Sequence, residues 1–404
     1  MTALPERPAS HYSSFGYLAD GDFERFELAP ELDRVPSRPV ELDEPQCTRL
    51  DGLLARLTVV SLHDHPTVRP LNPADFTPYR QQGREVTGFA GLRASVLDVV
   101  VDGMMAGAAF MTSRSGWKWT DVVFDLGMRQ CDLDHQDLVR LIRRVSEIAP
   151  LRAKRQIAMV FAVESATPIE NELDRLDVLF GLGVRVLGLT YGESNAVGSG
   201  VAEPNDAGLS RFGRAVVRRM NQLGMLIDLS HTGERSSLDA IEASAQPVVI
   251  SHTGARALFD LPRLKTDSVL RACAERGGLI GITAAPHLTP THLNPRHSLD
   301  SVMQHFEHCA ELVGIDHLGF GTDVNFGDHV AWHRAFAGWP PRLPPGGEPV
   351  DYVEGAENPS EAMRNVLAWL VLHGYDDDDI AKVAGGNALE LFGTVWPNPA
   401  PPTG

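Results

Sequence analysis

Cysteine is scarce in this 404-residue chain, which contains only Cys47, Cys131, Cys273 and Cys309. No two of them form a C-x-x-C pair, the spacing that is typical of cysteine-ligated zinc sites and of redox motifs. A disulfide framework also needs a denser set of cysteines in an oxidising compartment. We therefore expect reduced thiols, a cytoplasmic location, and metal ligands other than cysteine.

Long apolar runs and targeting signals are lacking as well. No stretch of about 18 apolar residues occurs, so no membrane-inserted helix is predicted. The first residues, MTALPERPASHYSSF, have neither the basic nor the apolar region of a secretory signal. The Pro-rich end, PNPAPPTG, carries no anchor signal.

Positive charge is in deficit, because Lys and Arg number 36 and Asp and Glu number 53, which gives a net charge of −17. A surface of this sign repels nucleic acid and anionic membranes, so neither is an expected partner. The chain also has no G-x-G-x-x-G or G-x-x-x-x-G-K-[ST] loop and no G-x-S-x-G elbow. This excludes the common nucleotide-binding and serine-hydrolase motifs.

What the chain does contain is an alternation of short apolar, β-branched runs with longer amphipathic stretches. This rhythm is typical of βα units that build a parallel sheet. Eight runs predict a closed (β/α)₈ TIM-like barrel, and barrels of this length commonly form one domain. The predicted strands are residues 57–62, 94–101, 157–163, 184–190, 225–230, 247–251, 278–285 and 317–322.

The prediction leaves several segments outside the strands and helices of the barrel. Residues 1–50 are interpreted as an N-terminal extension packed on the barrel, residues 51–396 as the barrel domain and residues 397–404 as a flexible tail. Two stretches look inserted. Residues 102–135 are interpreted as a lid or an interface arm, and residues 329–358 as a long ordered loop near the barrel mouth.

Polar side chains that can bind a metal or a substrate follow most of the predicted strands. The carboxyl end of the strands is where active sites form in (β/α)₈ barrels, so we expect these side chains to lie together. The residues concerned are His63, His65, Glu164, Tyr191, His231, His252 and Asp323.

His63 and His65 are two residues apart on a strand, so their side chains point to the same side. Two converging imidazoles suit zinc or a similar divalent ion, although a polar strand end would give the same pattern. His231 and His252 stand in matching contexts, DLSHT and VISHT, on successive strands. One such histidine is usually a satisfied core residue, but two side by side favour metal binding.

Glu164 follows the apolar run IAMVFAV, where a carboxylate is costly to bury unless it is paired or bound to a metal. It is either a partner of a barrel Arg or Lys, or a carboxylate that bridges two cations. Asp323, in GFGTD, is a metal ligand, a general base or a helix N-cap.

Together these residues predict two divalent ions that share Glu164 and a water-derived hydroxide. Bound metals lower the pKa of water to about 7, which supplies a nucleophile at neutral pH without a Ser or Cys nucleophile. Asp323 would take the proton from that water and pass it to the leaving group.

At these residues the sequence resembles the renal (membrane) dipeptidase family of zinc metallopeptidases, within the amidohydrolase-like metal-dependent hydrolases. The longest similar stretch is residues 208–258, which contains DLSHT and VISHT. LGFGTD is similar to the stretch that carries the family's catalytic aspartate, and VAGGNALELF to its C-terminal G-G-N helix. The resemblance covers roughly residues 55–395.

The resemblance implies cleavage of an amide bond in a dipeptide or a similar small molecule by a homodimer with two zinc ions. It also assigns roles along the chain. His63 and His65 correspond to ligands of the first metal, Glu164 to the bridging carboxylate, His231 and His252 to ligands of the second metal, Asp323 to the acid/base residue, and Arg263 to the arginine that binds the substrate carboxylate, which its fork suits.

The chain departs from the family pattern at three positions. His65 replaces the usual aspartate, which makes the site one charge less negative. Tyr191 replaces the usual histidine, and a tyrosine can donate a hydrogen bond to an oxyanion but carries no positive charge near pH 7. Leu264 stands where an asparagine is common.

Two other functions fit the same residues. The first is another amidohydrolase or a phosphotriesterase-like lactonase, although those lactonases bridge their metals with a modified lysine. The second is a barrel without catalytic activity that acts as a binding or scaffold protein. Glu164, and Arg263 if it points into the pocket, favour the dipeptidase.

Overall fold

The computed structural model describes residue 7 and residues 12–104, 118–335 and 351–397. Its strands are β1 (Val60–Asp64), β2 (Thr67–Val68), β3 (Val86–Thr87), β4 (Val99–Met104), β5 (Val139–Leu141), β6 (Ile157–Val163), β7 (Val184–Gly188), β8 (Leu226–Asp228), β9 (Val249–Thr253), β10 (Leu279–Ile282) and β11 (Leu318–Phe320).

The helices follow the strands in the order that a βα barrel requires. They are α1 (Glu44–Arg56), α2 (Phe76–Gln81), α3 (Phe89–Ala94), α4 (Trp119–Asp134), α5 (Ile148–Ala153), α6 (Arg175–Gly181), α7 (Arg211–Leu223), α8 (Glu234–Ala243), α9 (Asp267–Glu275), α10 (Leu299–Val313), α11 (His329–Ala335), α12 (Ala362–Leu372), α13 (Asp377–Ala381) and α14 (Asn387–Val395).

Eight parallel strands form a nearly closed barrel in the order β1-β4-β6-β7-β8-β9-β10-β11. The first and last strands meet just beyond their carboxyl ends. The Asp323 amide donates to the His63 carbonyl at 2.9 Å, and the His65 amide donates to the Val324 carbonyl at 2.9 Å. The predicted (β/α)₈ fold is therefore confirmed.

The second predicted strand, residues 94–101, is wrong in its position. The chain is helical in α3 up to Ala94, and β4 begins only at Val99. Phe89 and Leu92 are three residues apart and buried, which is the spacing of one helix face. The shift matters because β4 then continues to Met104 and carries residues of the barrel mouth.

The predicted lid or interface arm at residues 102–135 is also wrong over the part that the structure describes. Residues 119–134 form α4, which follows β4 and packs Val122, Leu126 and Leu133 into the core. Residues 105–117 lie outside the described residues. So do residues 336–350 of the second predicted insertion, whose described part begins with α11.

The N-terminal segment is tied to the helices around the barrel. The Asp132 carboxylate on α4 accepts hydrogen bonds from the Tyr12 hydroxyl at 2.6 Å and the Phe15 amide at 2.8 Å. The predicted boundary between residues 50 and 51 falls inside α1. Among the described residues, no helix has both the length and the apolar character needed to cross a bilayer.

Alternate strand residues face opposite sides of the barrel wall. Val99, Val101 and Val160 join an inner cluster with Phe392 of α14, which fills the amino end of the barrel. The residues between them, such as Val100, pack against the outer helices. This alternation has a period of two, so it also decides which side chains enter the barrel mouth.

Candidate metal centre

The inward positions of the strands lead directly to the polar residues of the mouth. On β6 every second residue faces the inside of the barrel, and the next inward position after Ala162 is Glu164. On β8 the next inward position after Leu226 is Asp228. On β1 the pairing register with β4 shifts between Ser61 and Asp64. Such an irregularity re-aims the strand end.

The six predicted metal ligands all lie in this mouth and are all buried. Three overlapping groups have ligand atoms within 4.8 Å of one another. They are His63, His65 and Glu164; Glu164, His231 and His252; and His63, Asp228 and His252.

The first half of the site surrounds one carboxylate oxygen of Glu164. The Oε1 atom lies 3.7 Å from His63 Nε2 and 3.6 Å from His65 Nε2. Asp323 Oδ1 lies 3.0 Å from His65 Nε2 and 3.8 Å from His63 Nε2. Ligand atoms about 2.0–2.1 Å from a tetrahedral zinc are about 3.3 Å apart, so this spacing fits one divalent ion.

The second half surrounds the other oxygen of the same carboxylate. Glu164 Oε2 lies 3.3 Å from His231 Nε2, which is 3.1 Å from His252 Nε2. One carboxylate thus presents one oxygen to each pair of imidazoles. This is the arrangement expected of a carboxylate that bridges two cations.

Hydrogen bonds behind the imidazoles fix two of their tautomers. His65 Nδ1 lies 2.6 Å from the Gly103 carbonyl, which can only accept, so Nδ1 carries a proton and Nε2 is the nitrogen left to bind a metal. His252 Nδ1 lies 2.8 Å from Ser251 Oγ, which donates to Asp228 at 2.5 Å and therefore accepts from His252. The Nε2 atoms of both rings face the site, as metal ligation requires.

Asp228 and Gly103 contact or support the predicted ligands, and the sequence interpretation missed both. Asp228 also accepts hydrogen bonds from the Ser230 and Ser251 amides, both at 3.0 Å, and so holds the two histidine-bearing loops together. A Cβ atom on Gly103 would collide with the His63 ring. In the sequence, the Ser-His pair that repeats after D-L and V-I could have pointed to Asp228. Nothing pointed to Gly103, because the strand that carries it was predicted at residues 94–101 and so ended before it.

Burial and neighbouring charges shift the pKa values of the site in a consistent pattern. Burial lowers the pKa of His63 to about 3 and raises that of Glu164 to about 8. Burial opposes the charged forms of His65 and Asp323 too and is the largest single influence on each, but their mutual hydrogen bond and the neighbouring charges together outweigh it. The pKa of His65 is raised to about 9, and that of Asp323 is held well below its usual value.

Two buried ligand atoms have no hydrogen-bond partner among the described residues, namely His63 Nε2 and Glu164 Oε1. An unsatisfied buried polar atom costs about 1–3 kcal/mol, and more when it is charged. A cation between these atoms would remove that cost. The donor set of imidazoles and carboxylates therefore fits divalent metal ions.

Tyr191 and Arg263 border the second half of the site. The Tyr191 ring stacks on His231 at a centroid distance of 4.0 Å, and burial raises its pKa, so its hydroxyl stays a donor. Arg263 donates to the carbonyls of Ser230 and His252 at 2.9 and 3.2 Å. Its Nη2 atom also lies 3.2 Å from His231 Nε2.

Known proteins resemble the chain in sequence. The family model described as membrane dipeptidase (peptidase family M19) matches residues 121–339. Dipeptidase tcpJ of Claviceps purpurea is 30% identical over 274 residues, which are 67% of this chain and 58% of that protein. Dipeptidase 3 of Homo sapiens is 28% identical over 57% of this chain and 48% of its own. The chain thus spans about half the length of the curated relatives it matches.

Solved structures resemble it in fold. An amidohydrolase from Pseudomonas aeruginosa superposes with a TM-score of 0.71 at 24% identity, over 86% of this chain and 99% of its own. A metallo peptidase from Rhodobacter sphaeroides, liganded with a phosphinate mimic of the dipeptide L-Ala-D-Ala, gives 0.65 at 20% identity. These two chains cover 86% and 84% of the present one, so the likeness of fold extends over most of the barrel.

Proposed function

Because the chain belongs to the membrane dipeptidase family of metallopeptidases, we propose that it is a metal-dependent hydrolase that cleaves the amide bond of a dipeptide or a dipeptide-like small molecule. The observation that carries the proposal is the placement of Glu164, whose two carboxylate oxygens each face a different pair of imidazoles. The closeness of both pairs to one carboxylate supports two ions rather than one.

We assign the first ion to His63, His65 and Glu164, with Asp323 beside it, and the second to Glu164, His231 and His252. Two divalent ions there would polarise the scissile carbonyl and lower the pKa of water to about 7. Zinc is the proposed metal, since imidazoles in a compact set suit it. His65 in place of an aspartate strengthens this preference over magnesium or manganese, which favour oxygen ligands.

Asp323 is the proposed general base and acid. Its contact with His65 keeps it ionised, as a proton acceptor must be. Its φ of 56° lies in the left-handed region, which only a few residue types adopt without strain. A backbone held there by the surrounding hydrogen bonds fixes the direction of the carboxylate, which takes a proton and returns it to the leaving amine.

Arg263 is proposed to bind the substrate carboxylate. It is buried beside the second imidazole pair, and its described hydrogen bonds go to carbonyls and to a ring nitrogen. None of the ion pairs between described residues includes it, so its positive charge has no carboxylate partner within the described part of the chain. The hydroxyl of Tyr191 is the proposed hydrogen-bond donor to the oxyanion.

A lactonase-like or other amidohydrolase activity is the second candidate. It is favoured by the His63 and His65 pair, which departs from the histidine–aspartate pair of the dipeptidases. The buried Arg263 argues for the dipeptidase instead, because a lactone carries no carboxylate for it to bind.

The test uses the purified chain loaded with Zn²⁺ and assayed by chromatography against L-Ala-D-Ala, L-Ala-L-Ala and an uncharged lactone. We expect two zinc ions per chain and cleavage of at least one dipeptide, blocked by a phosphinate dipeptide mimic. The matched control is Asp328→Asn, a change outside the ligand set on the loop after β11. Turnover of the lactone alone would overturn the dipeptidase assignment, and protein without bound metal would overturn the hydrolase. The homodimer and the cytoplasmic location stay predictions.

A further inference from the structure

A network of six charged side chains lies buried behind the first half of the metal site, and the catalytic scheme uses none of them. Each of these side chains is only 2–6% exposed. The network consists of Arg69, Arg80, Glu85, Asp102, Asp125 and Arg129.

The six groups alternate in charge and contact one another directly. The Glu85 carboxylate pairs with Arg69 at 2.6 Å and with Arg80. Arg80 also reaches Asp125 at 3.4 Å, and Arg129 reaches Asp102 at 3.1 Å. Three positive and three negative side chains thus form a set that crosses from the segment between β2 and β3 to α4 and β4.

The position of Asp102 connects the network to the metal ligands. Asp102 precedes Gly103 on β4, and the Gly103 carbonyl fixes the tautomer of His65. The missing side chain of Gly103 leaves room for the His63 ring. A displacement of this strand end would therefore disturb both histidines of the first pair.

The other end of the network reaches the same half of the mouth. Arg69 follows His65 by four residues, and its guanidinium stacks over the Trp332 ring at 3.9 Å. Trp332 belongs to α11, which begins six residues after Asp323. The network therefore lies against chain segments that carry His65, Gly103 and Asp323.

Stability alone is a poor reason for such a network. Burying charges carries a desolvation cost of several kcal/mol per ion, and replacing a buried ion set with apolar residues is often neutral or stabilising. What the ion pairs do provide is an attraction that favours one relative geometry of the elements that carry them, as between Arg129 Nη1 and Asp102 Oδ2 at 3.1 Å, which form no hydrogen bond within the described residues. That geometry is what a preorganised metal site needs.

We propose that Arg129, through Asp102, is a positioning residue that holds the end of β4 in the geometry in which His63 and His65 bind a metal. The inference rests on the proposed function. It predicts that breaking the Arg129–Asp102 pair weakens the ion at His63 and His65 and spares the ion at His231 and His252. Outer-shell changes typically cost 10–100-fold in metal affinity, so a loss of that size is expected.

The experiment titrates the metal-free full chain with Co²⁺ and follows its visible absorption, which reports ligand geometry at each ion. The variants are Arg129→Met and Asp102→Asn, and Arg129→Lys tests rescue by a retained charge. The control is Asp132→Asn on the same helix, a carboxylate that is equally buried but bonds Tyr12 and Phe15 instead of β4. Thermal unfolding of each metal-free variant is measured in parallel.

We expect two tight equivalents in the wild type and in Asp132→Asn. Arg129→Met and Asp102→Asn should keep one tight equivalent and lose 10–100-fold at the other, with partial recovery in Arg129→Lys. If both network variants bind two equivalents of Co²⁺ as tightly as the wild type, the inference is overturned and the proposed function stays intact. An equal loss of Co²⁺ affinity in Asp132→Asn would have the same consequence. Failure of both network variants to fold would assign the network to folding and overturn it too. A wild type that binds no metal would instead overturn the proposed function, and the inference with it.

Discussion

On the β4 side of the barrel mouth, buried charged side chains bond to one another, whereas on the β8 and β9 side they bond to neutral groups. Arg129 faces Asp102 and Arg69 faces Glu85 on the first side. On the second side Arg263 donates to carbonyls, and Lys265 donates to the Thr232 carbonyl.

The difference decides what each side can do for a ligand. Paired charges cancel at a distance and fix the geometry between the elements that carry them. A cation bonded to carbonyls is satisfied as a donor, but its net charge is left over. None of the described ion pairs includes Arg263, so its guanidinium keeps a positive charge that an anionic substrate can complement.

The largest effect is expected where the two sides meet, at Glu164. Glu164→Gln should abolish binding of at least one ion and lower kcat/KM on the order of 10³-fold or more, because metals supply several kcal/mol of transition-state stabilisation. Burial raises the pKa of Glu164 to about 8, so the metal-free site holds a protonated carboxyl near pH 7. Glutamine resembles that form, and the metal-free variant should unfold within about 1 kcal/mol of wild type.

Metal content by mass spectrometry and unfolding by urea check these two expectations. Glu172→Gln, an exposed residue on the loop after β6, is the matched control and should change neither. A Glu164→Gln protein with two tightly bound ions would show that the carboxylate does not bridge the halves.

The next effect concerns the uncompensated charge of the second side. Arg263→Met should lower kcat/KM for a dipeptide by about 2–5 kcal/mol of lost binding, which is roughly 30- to several-thousand-fold. The wild type should also prefer a dipeptide over its C-terminal amide, and the variant should lose that preference. Arg256→Met, which removes a partly exposed cation paired with Asp260, is the control. Equal discrimination by wild type and Arg263→Met would place the substrate carboxylate elsewhere.

Tyr191 makes two contributions to the second side, the ring that stacks on His231 and the hydroxyl donor, and two substitutions can separate them. Tyr191→Phe keeps the ring that stacks on His231 and removes the donor, so kcat should fall by about 10²-fold with unchanged metal affinity. Tyr191→Leu also removes the stack, which is worth about 0.5–1.5 kcal/mol, so the second ion should bind roughly two- to thirteenfold more weakly. Steady-state kinetics and metal titration together distinguish the two roles, and an unchanged kcat in Tyr191→Phe would exclude the hydroxyl as a donor.

The two sides also differ in how far the sequence could predict them. The β8 and β9 side was predictable, because its polar residues follow short apolar runs and repeat the S-H pattern at Ser230 and Ser251. The network on the β4 side was not. Asp121, Asp125 and Arg129 recur at helical spacing on α4, but inward-facing charges contradict the rule that the buried helix face is apolar. Only the structure shows that the partners of Asp125 and Arg129 come from residues 69–102.

The smallest effect is a pH dependence of the second side, which comes from a buried neutral histidine behind it. His305 on α10 accepts a hydrogen bond from the Ala255 amide at 3.0 Å, three residues after His252, and burial lowers the pKa of His305 to about 4. This lowered pKa contributes stability that is present above pH 6.5 and is lost as the pH falls towards 4, because only the unfolded chain takes up the proton easily. Between pH 7 and pH 5 the loss from His305 should be roughly 2 kcal/mol.

His305→Asn keeps an acceptor for Ala255 but cannot titrate. At pH 7 the variant should therefore be less stable to urea than wild type, and its free energy of unfolding should change less with pH. His308→Asn, three residues further on the same helix, is the control, and an unchanged slope in His305→Asn would mean that another group sets the acid sensitivity of this side.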